Sequence, residues 1–304
     1  MKKNKISSVI FALLVSGVSN AGIITEVISN GSCKTESVKI SSIATVPTGP
    51  NIVTTPINST SCLGFVLTPD NDWGNNPNPN KGGLGDGLLN GQIVSGTGQD
   101  DNGYYVSGDQ FLTNEENDSM VDLNGDGIFD DPGWIRLGGA ETKTGDDWNF
   151  VHDSIGGLSL VDLITMSLSD DGTWSLGVDP SAIAAVTDEL GRATVFDHLA
   201  FVMKGPNNGA NGPNGDPNIG SWAIYDFNFH DLIEDGLAIS LGDTAYNFEG
   251  TWDVDMFNND NALSHFSVWA HDPPATFDVP EPPTLAIFAL GMIGLASRRF
   301  KKHL

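Results

Sequence analysis

Between residues 158 and 270, apolar side chains recur at every second position, in short runs broken by Gly, Asn and Asp. That period belongs to extended chain, whose successive side chains point to opposite faces, and it restricts this stretch to half-buried strands. Leu158, Leu160, Ile164, Met166 and Leu168 fall on one face, interrupted by Asp162, and Trp174, Leu176 and Val178 resume the pattern after the Asp170-Asp171-Gly172 turn. Leu199 to Met203 is apolar throughout and suits a strand buried on both faces. Ala223, Tyr225, Phe227 and Phe229 alternate, as do Leu237, Ile239 and Leu241, and then Phe266, Val268 and Ala270. Strands with turn signals between them predict an all-β fold, an antiparallel β-sandwich of jelly-roll-like kind with long Gly/Asn/Asp-rich loops. One short helix is expected, with Asp179 as N-cap, Pro180 at its first position, Ile183, Val186 and Leu190 inward, and Gly191 as its stop.

The two ends of the chain obey different rules. Lys2, Lys3 and Lys5, the apolar run Val9 to Val15 and the small residues Ser19-Asn20-Ala21 read as a secretory signal peptide cleaved after Ala21. At the other end, Pro280-Glu281-Pro282 precedes a mostly apolar span, Pro283 to Ser297, and then Arg298, Arg299, Lys301 and Lys302. Such a span is shorter than the ~20 residues that cross a bilayer comfortably, but snorkelling cations extend its reach at modest mismatch cost. The basic cluster belongs on the cytoplasmic side, which puts everything before Pro280 outside. The chain thus divides into a signal peptide (1–21), an ectodomain (22–279) and a C-terminal sorting helix (280–304). Within the last, the motif is 280–282, the transmembrane span about 283–297 and the basic tail 298–304.

Val279-Pro280-Glu281-Pro282, Thr284-Leu285-Ala286 and Gly291-x-x-Gly294-Leu295-Ala296 ahead of Arg298-Arg299 resemble the PEP-CTERM sorting signal of Gram-negative bacteria. The resemblance implies a membrane-embedded exosortase as partner, cutting near Pro280-Glu281-Pro282. It also implies export across the inner membrane, a transient anchor through the C-terminal helix, and a destination at the cell surface or beyond. Three further blocks resemble ectodomains common in PEP-CTERM proteins: Asp197-x-Leu199 to Gly205, Trp222-Ala223-Ile224-Tyr225 and Leu263-Ser264-His265-Phe266-Ser267. That second resemblance implies a β-rich extracellular domain of no established activity.

Charge narrows the partners. Three of the 14 Lys and Arg lie in the signal peptide and four in the tail, while Glu281 alone of the 39 acidic residues lies outside 22–279. Seven bases against 38 acids leave the ectodomain near −31. A charge of that sign repels nucleic acid and excludes it as a partner. Hydrophobic content of 39%, with seven Trp and 15 Phe, is too rich for a disordered acidic segment. Asn71 to Gly91, Gly96 to Gly139 and Gly205 to Gly220 read as insertions between strands of one domain, with linkers between two subdomains as the alternative. Cys33 and Cys62, the only cysteines, are expected to bond to each other outside the cytoplasm; free thiols or half a metal site are the alternative.

Asp122-Leu123-Asn124-Gly125-Asp126-Gly127-Ile128-Phe129-Asp130 sets oxygen ligands at positions one, three, five and nine, with Gly at six for a sharp turn. Asp122, Asn124, Asp126 and Asp130 are candidate ligands for calcium, with Glu115, Glu116 and Asp118 near enough in sequence to complete the shell. Gly133 replaces the bidentate Glu of the full EF-hand loop, so the expected site is weak, and a solvated acidic turn is the competing reading. No enzyme signature stands out, and no catalytic residue is expected. Ala238-Ile239-Ser240-Leu241-Gly242 echoes a nucleophile elbow only superficially. His265 and His271 share a strand face with Trp269 and read as ordinary strand histidines, a metal pair being the alternative. Gly172-Thr173-Trp174 and Gly250-Thr251-Trp252 repeat a short element whose Trp residues are expected in the core.

Function follows from sorting class more than from chemistry. The expected protein is exported, processed by exosortase and structural or adhesive, in association with exopolysaccharide or biofilm matrix. A calcium-dependent carbohydrate-binding module is the alternative and a secreted glycoside hydrolase a third reading.

Overall fold

Ile164, Met166 and Leu168 are buried while Thr165 and Ser167 face solvent, the alternation that the sequence sets up. The computed structural model describes residues 33–68, 87–90, 106, 108–113, 116, 132–205, 220–242, 244–253 and 263–272. Its strands are β1 (Val38–Thr45), β2 (Ile57–Asn58), β3 (Ser61–Thr68), β4 (Trp134–Ala140), β5 (Lys143–Thr144), β6 (Asp147–Trp148), β7 (Val151–His152), β8 (Ser154–Ile155), β9 (Leu158–Ser159), β10 (Ile164–Leu168), β11 (Thr173–Val178), β12 (His198–Lys204), β13 (Gly220–Asn228), β14 (Tyr246–Trp252) and β15 (His265–His271). One sheet has the order β10-β11-β14-β1-β2 and the other β3-β13-β12-β15-β4-β7, with β5-β6 and β8-β9 as separate hairpins. Every long pairing is antiparallel, and the two sheets form a β-sandwich.

The main core fills the space between the sheets. Ile40 and Ile43 of β1 and Trp174 of β11 meet Phe201 of β12 and Phe227 of β13, with Trp174 and Phe201 rings 4.7 Å apart and Phe201 and Phe227 rings 6.2 Å apart. Each such side chain contributes roughly 1.5–3 kcal/mol when fully buried. The six-stranded sheet is buried on its other face as well. There Ala200, Val202, Ile224 and Trp269 support a second, smaller core with Leu88, Leu89, Val106 and Phe111. Double burial explains why β12 is apolar throughout Leu199–Met203.

The repeated Gly-Thr-Trp element has a structural meaning. Thr173 faces Thr251 across the β11·β14 ladder and Trp174 faces Gly250, while the Trp252 N–H donates to the Gly172 carbonyl at 2.9 Å. The Trp174 ring therefore lies over Gly250, where no side chain competes for the space. Both rings are buried and both indole N–H groups are used, Trp174 on Thr251 O at 3.3 Å and Trp252 on Ser169 O at 2.9 Å.

Three local expectations need correction. The helix α1 (Ala182–Leu190) starts just beyond Asp179-Pro180, while the Asp179 carboxylate accepts from both the N–H and the hydroxyl of Ser181 in the turn that leads into it. Its end is as expected: Gly191 takes φ 68° and donates to Thr187 O at 2.9 Å. Phe229 does not extend β13 but opens a second helix, α2 (Phe229–Glu234), because Asn228 Oδ1 accepts from the amides of His230 and Asp231. Leu237, Ile239 and Leu241 keep their alternating burial but form no strand. Their backbone curls back, with Leu237 N–H on Leu232 O and Ile239 N–H on Leu237 O. Ser240 sits on that irregular segment, with its N–H on the Tyr246 hydroxyl, and no strand-to-helix turn presents it.

Candidate metal centre

One end of the six-stranded sheet carries a polar row instead of an apolar one. Across β13, β12, β15 and β4, the residues in register are Asn228, His198, His271 and Trp134. These side chains lie on the same side as the second core, and His198, His271 and Trp134 are each almost wholly buried. Asp226, one alternation before Asn228, is fully buried beside them.

Neighbouring segments deliver the rest. Asp197 precedes β12 and is fixed by its backbone, its N–H on His271 O at 3.2 Å and its carbonyl accepting from Phe229 N–H at 2.8 Å. His230 sits in the first turn of α2, placed there by the Asn228 cap. Glu116 comes from the long connection between β3 and β4. Its Oε2 accepts from Thr113 N–H at 2.6 Å while its own N–H donates to Thr113 Oγ1 at 3.3 Å, the reciprocal pair of a capping box. The same connection is pinned at Asn90, which exchanges two hydrogen bonds with the Trp134 backbone at 2.7 and 2.9 Å.

The geometry is rich in acceptors. His198 Nδ1 lies 3.0 and 3.1 Å from the two oxygens of Asp226, and its Nε2 lies 3.2 Å from Glu116 Oε1. His271 Nδ1 lies 2.5 Å from Asp197 Oδ1, and its Nε2 lies 2.5 Å from the Pro132 carbonyl. His230 Nε2 stands 3.4 Å from Asp197 Oδ2. Two imidazoles thus meet four acceptors, whereas two neutral rings supply two N–H donors. Two further protons, or one divalent cation in their place, complete the arrangement. Two sets of donor atoms lie within 4.8 Å of one another: Asp197, His198 and His271, and then Glu116, Asp197 and His230. The Trp134 indole N–H, packed against both rings at 5.6 and 5.2 Å, is buried and has no hydrogen-bond acceptor among the described residues.

Electrostatics follow from burial and pairing. Burial disfavours the His198 imidazolium, but the charge and hydrogen bond of Asp226, then Glu116 and Asp197, outweigh it and raise its pKa well above the usual value. Burial acts to raise Glu116, yet the hydrogen bond and charge of His198 and the Thr113 donors hold its carboxyl at about 2. Asp197 is likewise pressed upward by burial, and the His271 charge and His230 hydrogen bond bring it well below the carboxylate range. Burial wins at Asp226, whose carboxyl stays raised. It also lifts Asp272 to about 6 against the pull of Arg192, 2.8 Å away.

Most of this constellation is not among the residues singled out from sequence. His271 is no ordinary strand histidine, since both ring nitrogens are engaged at the buried sheet end, whereas His265 Nδ1 meets Ser264 Oγ at 2.9 Å. Glu116, considered above for a calcium shell, faces His198. Cys33 and Cys62 are bonded, with Cα atoms 6.1 Å apart. Asp122, Asn124, Asp126, Asp130, Glu115, Asp118, Ala21, Pro280, Glu281 and Pro282 lie outside the described residues. A usable signal did exist: four of the six histidines are next to an Asp, at Asp197-His198, His152-Asp153, His230-Asp231 and His271-Asp272.

Comparison with known proteins identifies one segment. The family model described as the PEP-CTERM protein-sorting motif matches residues 278–302. The motif implies export, a transient C-terminal membrane anchor, processing by an exosortase and then a place at the surface. No helix among the described residues is long and apolar enough to cross a membrane, and the 283–297 span lies outside them. No curated protein and no solved structure matches the chain.

Proposed function

We propose that this PEP-CTERM domain-containing protein works, once exported and released from its C-terminal anchor, as a non-catalytic structural or adhesive component of the cell exterior, in association with exopolysaccharide. The sorting motif at 278–302, placed behind an acidic β-sandwich, is the observation that carries the reading. A chain delivered to the exterior with a net ectodomain charge near −31 stays soluble and favours neutral or cationic partners over anionic ones. A carbohydrate-binding module would need exposed aromatic rings for sugars to stack on, and Trp134, Trp148, Trp174, Trp252 and Trp269 are all buried, so that platform does not come from them.

Processing and matrix association are tested together. Mass spectrometry of the surface-exposed protein should find a C-terminus near Pro280-Glu281-Pro282, and deleting those three residues should hold the chain in the membrane fraction. Recovery of mature protein ending at Leu304 sinks the processing step. Enzymatic removal of the surface polysaccharide should release the processed protein into the medium, and unchanged retention argues against the association.

A further inference from the structure

We propose that the buried end of the six-stranded sheet binds one divalent first-row transition-metal ion, with Asp197, His198 and His271 as its central ligands and His230 and Glu116 completing the shell. This goes beyond the surface role and does not depend on it.

The ring orientations are those that metal ligands adopt. A metal-binding imidazole uses one nitrogen for the ion and holds the other on a fixed acceptor, which sets its tautomer. Both buried histidines have that second contact. His198 keeps Nδ1 between the two oxygens of Asp226, and His271 keeps Nε2 on the Pro132 carbonyl. With those nitrogens protonated, His198 Nε2 and His271 Nδ1 carry lone pairs, and each of them faces a carboxylate oxygen, of Glu116 and of Asp197. Lone pair against anion is repulsive unless a proton or a shared cation neutralises the pair, and the donor atoms of each set lie within 4.8 Å of one another, close to what one ion needs at ~2.0–2.2 Å per ligand.

Donor chemistry chooses the ion. Three imidazoles with two carboxylates suit zinc, manganese, iron or nickel, whereas calcium takes oxygen ligands throughout. Only His230 among these residues is substantially exposed, so the site is closed on most sides and its role is to hold structure. Glu116 belongs to the β3–β4 connection and the other four ligands to the sheet end or to α2. A shared ion would therefore fasten that connection onto the sheet, where Asn90 and Phe111 already contact Trp134.

The experiment uses the exported chain without a histidine tag. Metal content is measured as purified, and binding of zinc, cobalt and calcium is measured after chelation and dialysis, with thermal unfolding alongside. About one equivalent of transition metal should bind, the unfolding midpoint should rise with zinc or cobalt and not with calcium, and cobalt should give the visible bands of nitrogen–oxygen coordination. His271→Gln should abolish stoichiometric binding. Because a buried change of that kind could compromise folding, the half-exposed His230→Gln and the orienting Asp226→Asn serve as companions, checked by circular dichroism. Asp226→Asn should weaken affinity about 10–100-fold, the usual cost of losing such a partner. The proposal is overturned if the folded protein binds none of the transition metals saturably, if His271→Gln and His230→Gln both bind like the parent, or if calcium binds the same residues as well as zinc does.

Discussion

Replacing Gly250 by Ala tests the sandwich at a crowded point. Gly250 pairs with Trp174 on one side and with Ile40 on the other, where β1 changes register around Ser41. A Cβ added there would lie 2.0 Å from the Lys39 carbonyl oxygen and 2.3 and 2.4 Å from two atoms of the Trp174 ring. Neither obstacle yields easily: the first is ladder backbone, and the second is an indole buried to 2% exposure and packed on Phe201. Relief requires a shift of an ångström or more in the middle of a five-stranded sheet. Overpacking of this kind costs about 1–3 kcal/mol, and two rigid neighbours place Gly250→Ala near 3. For a domain of this size that corresponds to a fall in Tm of roughly 6–12 °C. The control is Gly157→Ala, where an added Cβ meets only the Glu189 carboxylate oxygens at 3.9 Å and φ is not left-handed. Urea unfolding followed by tryptophan fluorescence reads both variants. If Gly250→Ala and Gly157→Ala unfold within about 0.5 kcal/mol of each other, the ordinary scatter of surface substitutions, the close approach of Trp174 to Gly250 is wrong.

Two further expectations are independent of that contact. Cys33 and Cys62 close a loop with a sequence separation of 29, so Cys33→Ser with Cys62→Ser should cost about 3–4 kcal/mol in the chain-entropy account, and a loss under about 1 kcal/mol would mean that the denatured chain is already constrained there. Burial, with the Asp253 charge adding and a Ser37 hydrogen bond opposing, lifts the Tyr225 phenol from 10.0 to about 12. The neutral phenol is thus favoured by folding; its contribution is intact below pH 10 and is lost as pH climbs to 12, roughly 2–3 kcal/mol in all. Absorbance titration should show a late-titrating phenol that Tyr225→Phe removes, and the same variant should flatten the alkaline decline in stability; an unchanged decline would put the cause elsewhere.

The sandwich was legible because its signal is local. Ile164 to Leu168, Trp174 to Val178 and Phe266 to Ala270 each declare a buried face within a few residues, and a continuous apolar run at Leu199 to Met203 declares two. Where local signals failed, a single polar contact had overridden the period. Asn228 Oδ1 captures two amides and turns Phe229 into a helix start. The same alternation at Leu237 to Leu241 predicted burial correctly and pairing wrongly, since burial depends on one segment and a ladder on two.

The metal centre was illegible for a related reason. His198 and Glu116 are 82 residues apart, and His271 and Asp197 are 74 apart. Nothing in either neighbourhood says that β12 and β15 share an edge, and only the register His198↔His271 makes the two rings adjacent. Local sequence does record a cost, however. Asp197-His198 opens a run that is otherwise apolar, Asp226 interrupts Tyr225 and Phe227, and His271-Asp272 closes β15, each placing a charge at the margin of a doubly buried sheet. Charges in such positions are expensive unless paired or bound to a metal. Three strands ending in the same kind of expense are better explained by one shared site than by three separate accidents, and the second core of Leu88, Leu89, Val106 and Phe111 includes Trp134, the indole packed on both buried imidazoles.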